Sequence, residues 1–279
     1  MEIHNEINND IKFLTKSEIR LKILSELENN PNSIHELVKK TKITYSSVSS
    51  NISKLENNNY IKKIKSKYYL NPITKIYYQT LMDFKKSVEI INNYSEFWNK
   101  HNLNQINIDS LRNITDLKDS QLIETTSLDI YKTHNAIKTQ IMESKSLKAI
   151  FPYLHPEYPQ LIEKILKKNG KVEIIVPKSI SHALISKIDP KIKQTSISDK
   201  NLTIHPVEND LKIYLTICDE SMSFGLFKND ESYDQNRILI SNTKKSQTWA
   251  ENLFENIKYD VIKWLIVRPR KNWMMSIKM

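Results

Sequence analysis

Ser33–Leu70, SIHELVKKTKITYSSVSSNISKLENNNYIKKIKSKYYL, is the stretch whose reading decides the fold. Ser33 suits an N-cap, and Glu36 three residues on completes a capping box, in which each residue's side chain bonds the other's backbone N–H. The helix it opens carries Ile34, Leu37 and Val38 on one side and ends in Lys39-Lys40, where cations complement the carbonyl end of the dipole. After Lys42-Ile43, Thr44 stands as a second N-cap. Val48, Ile52 and Leu55 then recur at i, i+4 and i+7, the apolar face of a second helix.

Advancing ~100° per residue around that second helix puts Ser46, Ser47, Ser50, Ser53 and Lys54 on the side away from Val48, with Tyr45 and Asn51 on the flanks. Small hydroxyls, an amide and a lysine make a poor core face but suit a DNA major groove, which admits a helix and offers donors and acceptors on base edges. Taken alone, such a face is equally a solvated one. The next eleven residues tip the balance. Tyr60–Leu70 sets Ile61, Ile64, Tyr68 and Leu70 among Lys62, Lys63, Lys65 and Lys67, with Lys65-Ser66-Lys67 as the tip of a hairpin. Helix, turn, helix and basic ribbon in this order is the layout of a winged helix-turn-helix.

Within Ser33–Lys75, nine lysines stand against two glutamates, an excess of +7 out of the whole chain's +10. A local excess of that size binds polyphosphate through counterion release, whatever the base sequence. The expected partner is double-stranded DNA. Tyr45, Ser46, Ser47, Ser50 and Asn51 are expected to read bases, and Lys54, Lys63, Lys65 and Lys67 to hold phosphates.

The remaining composition narrows the function classes. A chain of 279 residues has room for about two domains. Its single cysteine, Cys218, excludes an internal disulfide and fits a reducing cytosol. No apolar run approaches the ~20 residues that cross a bilayer, and residues 1–15 lack a signal peptide's basic start and apolar core, so a soluble, cytoplasmic chain without membrane contact is expected. The only glycines are Gly170 and Gly225. Phosphate-binding loops and dinucleotide fingerprints need several at close spacing, which excludes such sites, and no cofactor is expected.

Residues 1–14, ahead of this stretch, form a polar arm or short helix, with Ile3, Ile7, Ile11 and Leu14 at helical spacing. Thr15 and Glu18 suggest another capping box, opening a helix over Ile19, Ile23, Leu24 and Leu27 that packs under Val48, Ile52 and Leu55. From Ile73 to His101 there is no Pro or Gly, and an unbroken helix is predicted. Its Tyr77, Leu81, Phe84, Val88, Ile91, Ser95 and Trp98 step by 4 and 3 alternately, the seam of a coiled coil. The helix either packs on its own chain or joins two copies, and a homodimer through residues 73–100 suits paired DNA half-sites. His101–Leu122 reads as a connector and Leu128–Ser144 as an amphipathic helix containing His134.

Beyond Leu147 strands and helices alternate. Strands are predicted at LKAIFPY, Lys171–Pro177, Leu202–Val207, Leu211–Cys218, Met222–Phe227 and Arg237–Ile240. Helices are predicted at Glu157–Asn169, ended by Gly170 as the residue past the cap, at Ser181–Ile188, and from Ser246 to about Ile266. This order implies a mixed sheet with helices against it. The fold class is therefore α/β multidomain: a winged-helix domain (1–72), a helical linker and dimerisation segment (73–140), an α/β domain (141–267) and a basic tail (268–279), RPRKNWMMSIKM, read as a disordered end.

YSEFWNKHNLNQI (Tyr94–Ile106), FPYLHPEY (Phe151–Tyr158), ICDESMSFGLFKNDESYD (Ile217–Asp234) and WAENLFE (Trp249–Glu255) give the chain a recognisable signature. It resembles the archaeal winged-helix transcriptional regulators of methanogens that carry a Fil-type methanogenesis-regulator middle domain. The resemblance implies DNA binding through the winged domain and a sensor in the C-terminal domain. That domain is also similar in layout to half of a phospholipase-D-type fold, the kind used by some sugar-responsive archaeal regulators.

Phospholipase-D catalysis needs a histidine two residues before a lysine. Here His205-Pro206-Val207 has valine in the lysine's place, and no other catalytic grouping shows convincing spacing. The chain is read as a non-enzyme. The alternatives are a phosphodiesterase centred on His205 and a winged-helix protein-interaction module. No CxxC, HExxH or closely spaced His pair points to a metal, His134 reads as an ordinary surface or core histidine, and no metal site is expected. Tyr153, His155 and Tyr158, just after the first strand of the α/β domain, are candidates for the rim of a pocket for a small-molecule effector.

Overall fold

Helices α1 (Glu2–Thr15), α2 (Glu18–Asn29), α3 (Ile34–Thr41) and α4 (Tyr45–Asn57) precede a two-stranded ribbon, β1 (Ile61–Ile64) and β2 (Lys67–Leu70), in the computed structural model, which describes residues 2–208 and 210–267. The box at Ser33 closes: the Glu36 N–H donates to Ser33 Oγ at 3.3 Å and the Ser33 N–H to Glu36 Oε2 at 2.7 Å. The cap expected at Thr15 belongs instead to Ser17, whose Oγ accepts from the Arg20 N–H at 3.4 Å. Residues 2–15 form a helix of their own, and Thr15 ends it with its hydroxyl donating to the Ile11 carbonyl at 2.7 Å.

Ile23, Leu24 and Leu27 of α2, Leu37 of α3 and Val48, Ile52 and Leu55 of α4 form one buried core, closed by Tyr60, Ile61, Tyr68 and Tyr78. Residues four and three apart on each helix deliver this set. Phe13 stacks on Tyr60 with ring centroids 5.1 Å apart, and the Tyr60 hydroxyl donates to Asp10 Oδ1 at 2.5 Å, which fastens α1 to the core. Burial and that carboxylate push the Tyr60 phenol well above its ordinary range.

The ribbon pairs Ile61 with Leu70 and Ile64 with Lys67, so its turn is Lys65-Ser66 alone and Lys67 stands in β2 rather than at the tip. Lys65 takes the left-handed region at φ 58°. Hairpin turns of this length usually place Gly or Asn there. This chain puts a charge at the position, as it does at left-handed Lys42.

This first unit ends at Lys86, part-way along α5 (Pro72–Asn93), and the second begins at Ser87. The unbroken helix expected to His101 stops at Asn93 and restarts as α6 (Ser95–Lys100). Phe97 and Trp98 are drawn into a core, and Trp98 Nε1 donates to the Ile90 carbonyl at 3.2 Å. Ser95 and Trp98 therefore leave the predicted seam. Tyr77, Phe84, Val88 and Ile91 remain as exposed apolar residues along α5, while Tyr78 packs inward.

The second unit continues with α7 (Ile108–Arg112), a 3-10 turn (Ile114–Leu117), β3 (Gln121–Glu124), α8 (Lys132–Glu143), β4 (Ser146–Ile150), α9 (Tyr158–Lys167), β5 (Lys171–Pro177), α10 (Lys178–Ser186), α11 (Pro190–Ser198), β6 (Leu202–Val207), β7 (Ile213–Ile217), β8 (Met222–Leu226), β9 (Arg237–Ser241) and α12 (Lys244–Val267). Seven strands form one mixed sheet in the order β3-β9-β8-β7-β4-β5-β6, parallel across β4-β5-β6 and antiparallel elsewhere. Alternate residues serve the two faces. Leu215, Ile217, Phe224 and Leu239 meet Trp249, Leu253 and Phe254 of α12 on one side, and Ala149, Val172, Ile174 and Tyr214 meet α8, α9 and α10 on the other.

The stretch His101–Leu122, expected to be a connector, is part of this body. Ile106, Ile114 and Leu117 share the core under α12, and β3 pairs with β9 at the sheet's edge. Trp249 Nε1 donates to the Ser110 carbonyl at 2.8 Å and ties α12 to α7. Helix α8 begins at Lys132, four residues later than predicted, leaving Leu128 97% exposed. The tail 268–279 lies outside the described residues.

At the end of α9 the left-handed residue is Asn169 (φ 57°), not Gly170. Gly170 is needed for another reason. A Cβ there would lie 2.1 Å from the Lys145 carbonyl oxygen and 2.6 Å from Ile165 Cγ2. Since backbone cannot yield as a flexible side chain does, Gly170→Ala should destabilise the second unit by about 3 kcal/mol, read as a lowered unfolding midpoint in denaturant. A midpoint within error of the parent would show that β4 and α9 can part at that point.

Candidate functional site

Burying Val48, Ile52 and Leu55 turns Tyr45, Ser46, Ser50 and Lys54 of α4 outward, and all four are exposed. Asn51, read as a flank residue, and Ser47, read as outward-facing, are both turned more toward the scaffold than toward solvent. Asn51 is half-buried, its amide donating to the Ser47 carbonyl at 2.9 Å and its oxygen accepting from Ser17 Oγ at 3.5 Å. Ser47, also half-buried, accepts from Thr44 Oγ1 at 3.0 Å, so Thr44 bonds a side chain instead of capping the backbone. Tyr45, Ser46, Ser50 and Lys54 thus form the outer face, with Ser47 and Asn51 fixing the helix behind it. On the wing, Lys62, Lys63 and Lys65 are exposed. Lys67 is also exposed but lies 3.6 Å from Glu36 Oε1, an ion pair joining β2 to α3. Lys63 sits over the Tyr68 ring at 5.5 Å. An outward hydroxyl-bearing helix beside a lysine-edged hairpin is an arrangement that can place donors on base edges and ammonium groups on phosphates.

In the second unit the three effector candidates lie together, the His155 and Tyr158 ring centroids 5.4 Å apart, but differ in burial. Tyr158, read as a rim residue, is 1% exposed and stacks on Phe151 at 4.2 Å. It is the first residue of the amphipathic α9, and its apolar ring serves the core. Its hydroxyl donates to that of Tyr153 at 3.2 Å, and Tyr153 lies 4.6 Å from the Tyr233 ring. Burial pushes the Tyr153 and Tyr158 phenols up. His155 stays half-buried and lies beside a residue the sequence set far from it: the His134 and His155 rings stack 3.8 Å apart.

His134 Nε2 is 2.6 Å from Glu157 Oε2, and Lys138 Nζ is 2.6 Å from Glu157 Oε1. Hydrogen bonds from Lys138 and His134 hold the Glu157 carboxyl down at about 2. Burial and the neighbouring His134 push the His155 imidazole down. The sequence holds no closely spaced His pair, and the fold supplies this one. The pairing is hidden in the sequence because α8 and the loop after β4 meet only through the fold.

A polar cleft of about 650 Å³ opens at one end of the sheet, lined by Gln121, Gln140, Glu143, Asp219 and Ser241 among others. Cys218 also borders it, but burial pushes its thiol up to about 12, which leaves the thiolate scarce. His205, the alternative catalytic centre, has Nε2 2.9 Å from Glu173 Oε1, and Lys258 Nζ lies 3.2 Å from the same oxygen. That grouping is an ion-pair hub fastening α12 to the sheet.

Two family models match: the N-terminal domain of the methanogenesis regulatory protein FilR1 over residues 8–89 and its middle domain over 130–260. The chain belongs to the FilR1 family. The first match takes in α4 and the wing, and the second the sheet from α8 to α12. A curated FilR1 from Methanothrix harundinacea is 20% identical over 248 residues, covering 88% of this chain and 56% of that protein, so the chain spans little more than half the length of its relative. Among solved structures, the archaeal chromatin protein TrmBL2 aligns at 11% identity and TM-score 0.40, over 87% of this chain and 92% of that one. A Rhodococcus protein assigned to the IclR regulators aligns at 12% identity and TM-score 0.17, over 84% of each chain. The FilR1 assignment rests on the family models, not on these likenesses. Among the described residues no helix is long and apolar enough to cross a membrane.

Proposed function

We propose that the chain is a DNA-binding transcriptional regulator that reads duplex DNA with α4 in the major groove and grips phosphates with the β1-β2 wing. The observation that carries this reading is the outward face of Tyr45, Ser46, Ser50 and Lys54 beside exposed Lys62, Lys63 and Lys65. The winged domain of residues 1–72 acts as the reader, helix α5 (Pro72–Asn93) as the coupling and dimerisation element, and the sheet domain, which takes in β3 and α8, as a sensor. Ser47 and Asn51 contribute at the margin of the base-reading face, and Lys67 shares its charge with Glu36.

The dimer proposal is supported by the apolar residues left exposed on α5 and by an apolar hollow of about 530 Å³ lined by Ile11, Leu14, Tyr77, Leu81 and Phe84. The sensor proposal is supported by the polar cleft at Gln121, Gln140 and Ser241, which suits a polar small molecule better than the tightly packed Tyr153–Tyr158 pair does. In this reading the domain retains half of a phospholipase-D-type layout without its catalytic lysine. An effector acts by binding two arrangements of the coupling helices unequally, the only way a ligand shifts such an equilibrium.

Gel shifts on duplex fragments from upstream of the gene itself and its neighbours test this reading. One fragment should be retained in the presence of excess competitor DNA. A folded chain that shifts no duplex at all would contradict it and favour a protein-interaction module.

A further inference from the structure

We propose that His134, His155 and Glu157 form a binding site for one divalent transition-metal cation such as Zn²⁺, held by two imidazole nitrogens and one carboxylate oxygen. The site belongs to the second unit and does not depend on the DNA-facing surface of the first. The three residues come from separate elements, the first turn of α8, the loop after β4 and the start of α9, and one ligand atom from each lies within 4.8 Å of the others. Binding at about 2.0–2.1 Å to each donor requires those atoms to close by a fraction of that spacing, a rotation within reach of half-exposed side chains.

The donor set selects the metal. Two imidazoles and one carboxylate suit Zn²⁺, Co²⁺ or Ni²⁺, while Ca²⁺ and Mg²⁺ demand oxygen ligands. Three protein ligands leave a fourth position open to water or a ligand group, unlike the closed sets of structural zinc. The surroundings already orient the donors. Lys138 occupies Glu157 Oε1, leaving Oε2 turned toward His134 Nε2. The Glu157 N–H donates to His155 Nδ1 at 3.2 Å. Capture of a cation at either His155 nitrogen releases that backbone bond, at Nδ1 by displacement and at Nε2 because Nδ1 must then carry the proton. Metal capture therefore reaches the first turn of α9.

Lys138 makes the site testable in both directions. Its ammonium already neutralises the carboxylate and repels an incoming cation, so its removal should tighten binding while loss of a ligand weakens it. The experiment is calorimetric titration of the tag-free, chelator-stripped full chain with Zn²⁺, with Co²⁺ absorption as a report on coordination. One equivalent should bind and raise the unfolding temperature by linkage. His134→Ala and His155→Ala should each weaken binding at least ~10-fold, and Lys138→Gln should strengthen it roughly fivefold. Should an alanine variant fail to fold, His134→Gln, Lys138→Gln and the Co²⁺ spectrum of the parent chain still decide. Absence of saturable Zn²⁺ binding, equal affinity in the histidine variants and parent, or a Co²⁺ spectrum unchanged from the aqueous ion would overturn the site.

Discussion

A chain carrying Ser46→Glu and Ser50→Glu is expected to lose operator affinity by about a thousandfold, on the order of 4 kcal/mol, while unfolding at the temperature of the parent. Both serines are exposed on α4, so the substitutions empty no core space and leave Val48, Ile52 and Leu55 packed. In a major groove each new carboxylate faces phosphates on both sides, and like-charge apposition across an interface costs several kcal/mol. Fluorescence anisotropy with the retained fragment measures the loss, and circular dichroism melting checks the fold. A double variant that binds as tightly as the parent would place the DNA surface elsewhere.

The second large effect concerns α5. Val88→Glu with Ile91→Glu should convert a dimer to a monomer and weaken binding to a two-half-site operator by roughly 10²–10⁴-fold, the gain that linked engagement of two sites supplies. Val88 and Ile91 are 37% and 46% exposed, so the protomer has no packing reason to unfold. Sedimentation velocity of both chains reads the mass directly. A monomeric parent at micromolar concentration, or a variant of unchanged mass and affinity, would remove α5 as the coupling element.

Legibility in the sequence tracks how local each signal is. The capping box at Ser33 and the Val48, Ile52, Leu55 stripe lie within one helix turn or two, and both form as read. The wing is visible from its lysines, but its turn reads one residue too long because Lys65 takes a backbone conformation that usually announces itself through Gly or Asn. Asn51 lies at the edge of its helix, where ~100° spacing cannot say whether a neighbour will cover it; α2 does so through Ser17. The coiled-coil seam reads two steps too far because Trp98 fits a heptad position and a core equally well. Strand β3, four residues at the sheet's edge, has no periodicity to read, and its identity depends on β9. The His134–His155 pair is a product of tertiary structure alone, since its members are 21 residues apart and neither sits in a recognised ligand spacing.

The claim that α4 and the wing together grip duplex DNA is tested most directly by the salt dependence of binding. The logarithm of affinity should fall linearly with the logarithm of salt concentration, with a slope of about −0.9 per phosphate neutralised. Replacing Lys54, Lys63 and Lys65 together by alanine should flatten that slope by roughly 2 to 3 units, whereas Lys67→Ala, whose ammonium already faces Glu36, should change it by less than one such contact. A triple variant with the parent's slope would contradict the account, because those lysines would then lie away from the phosphates.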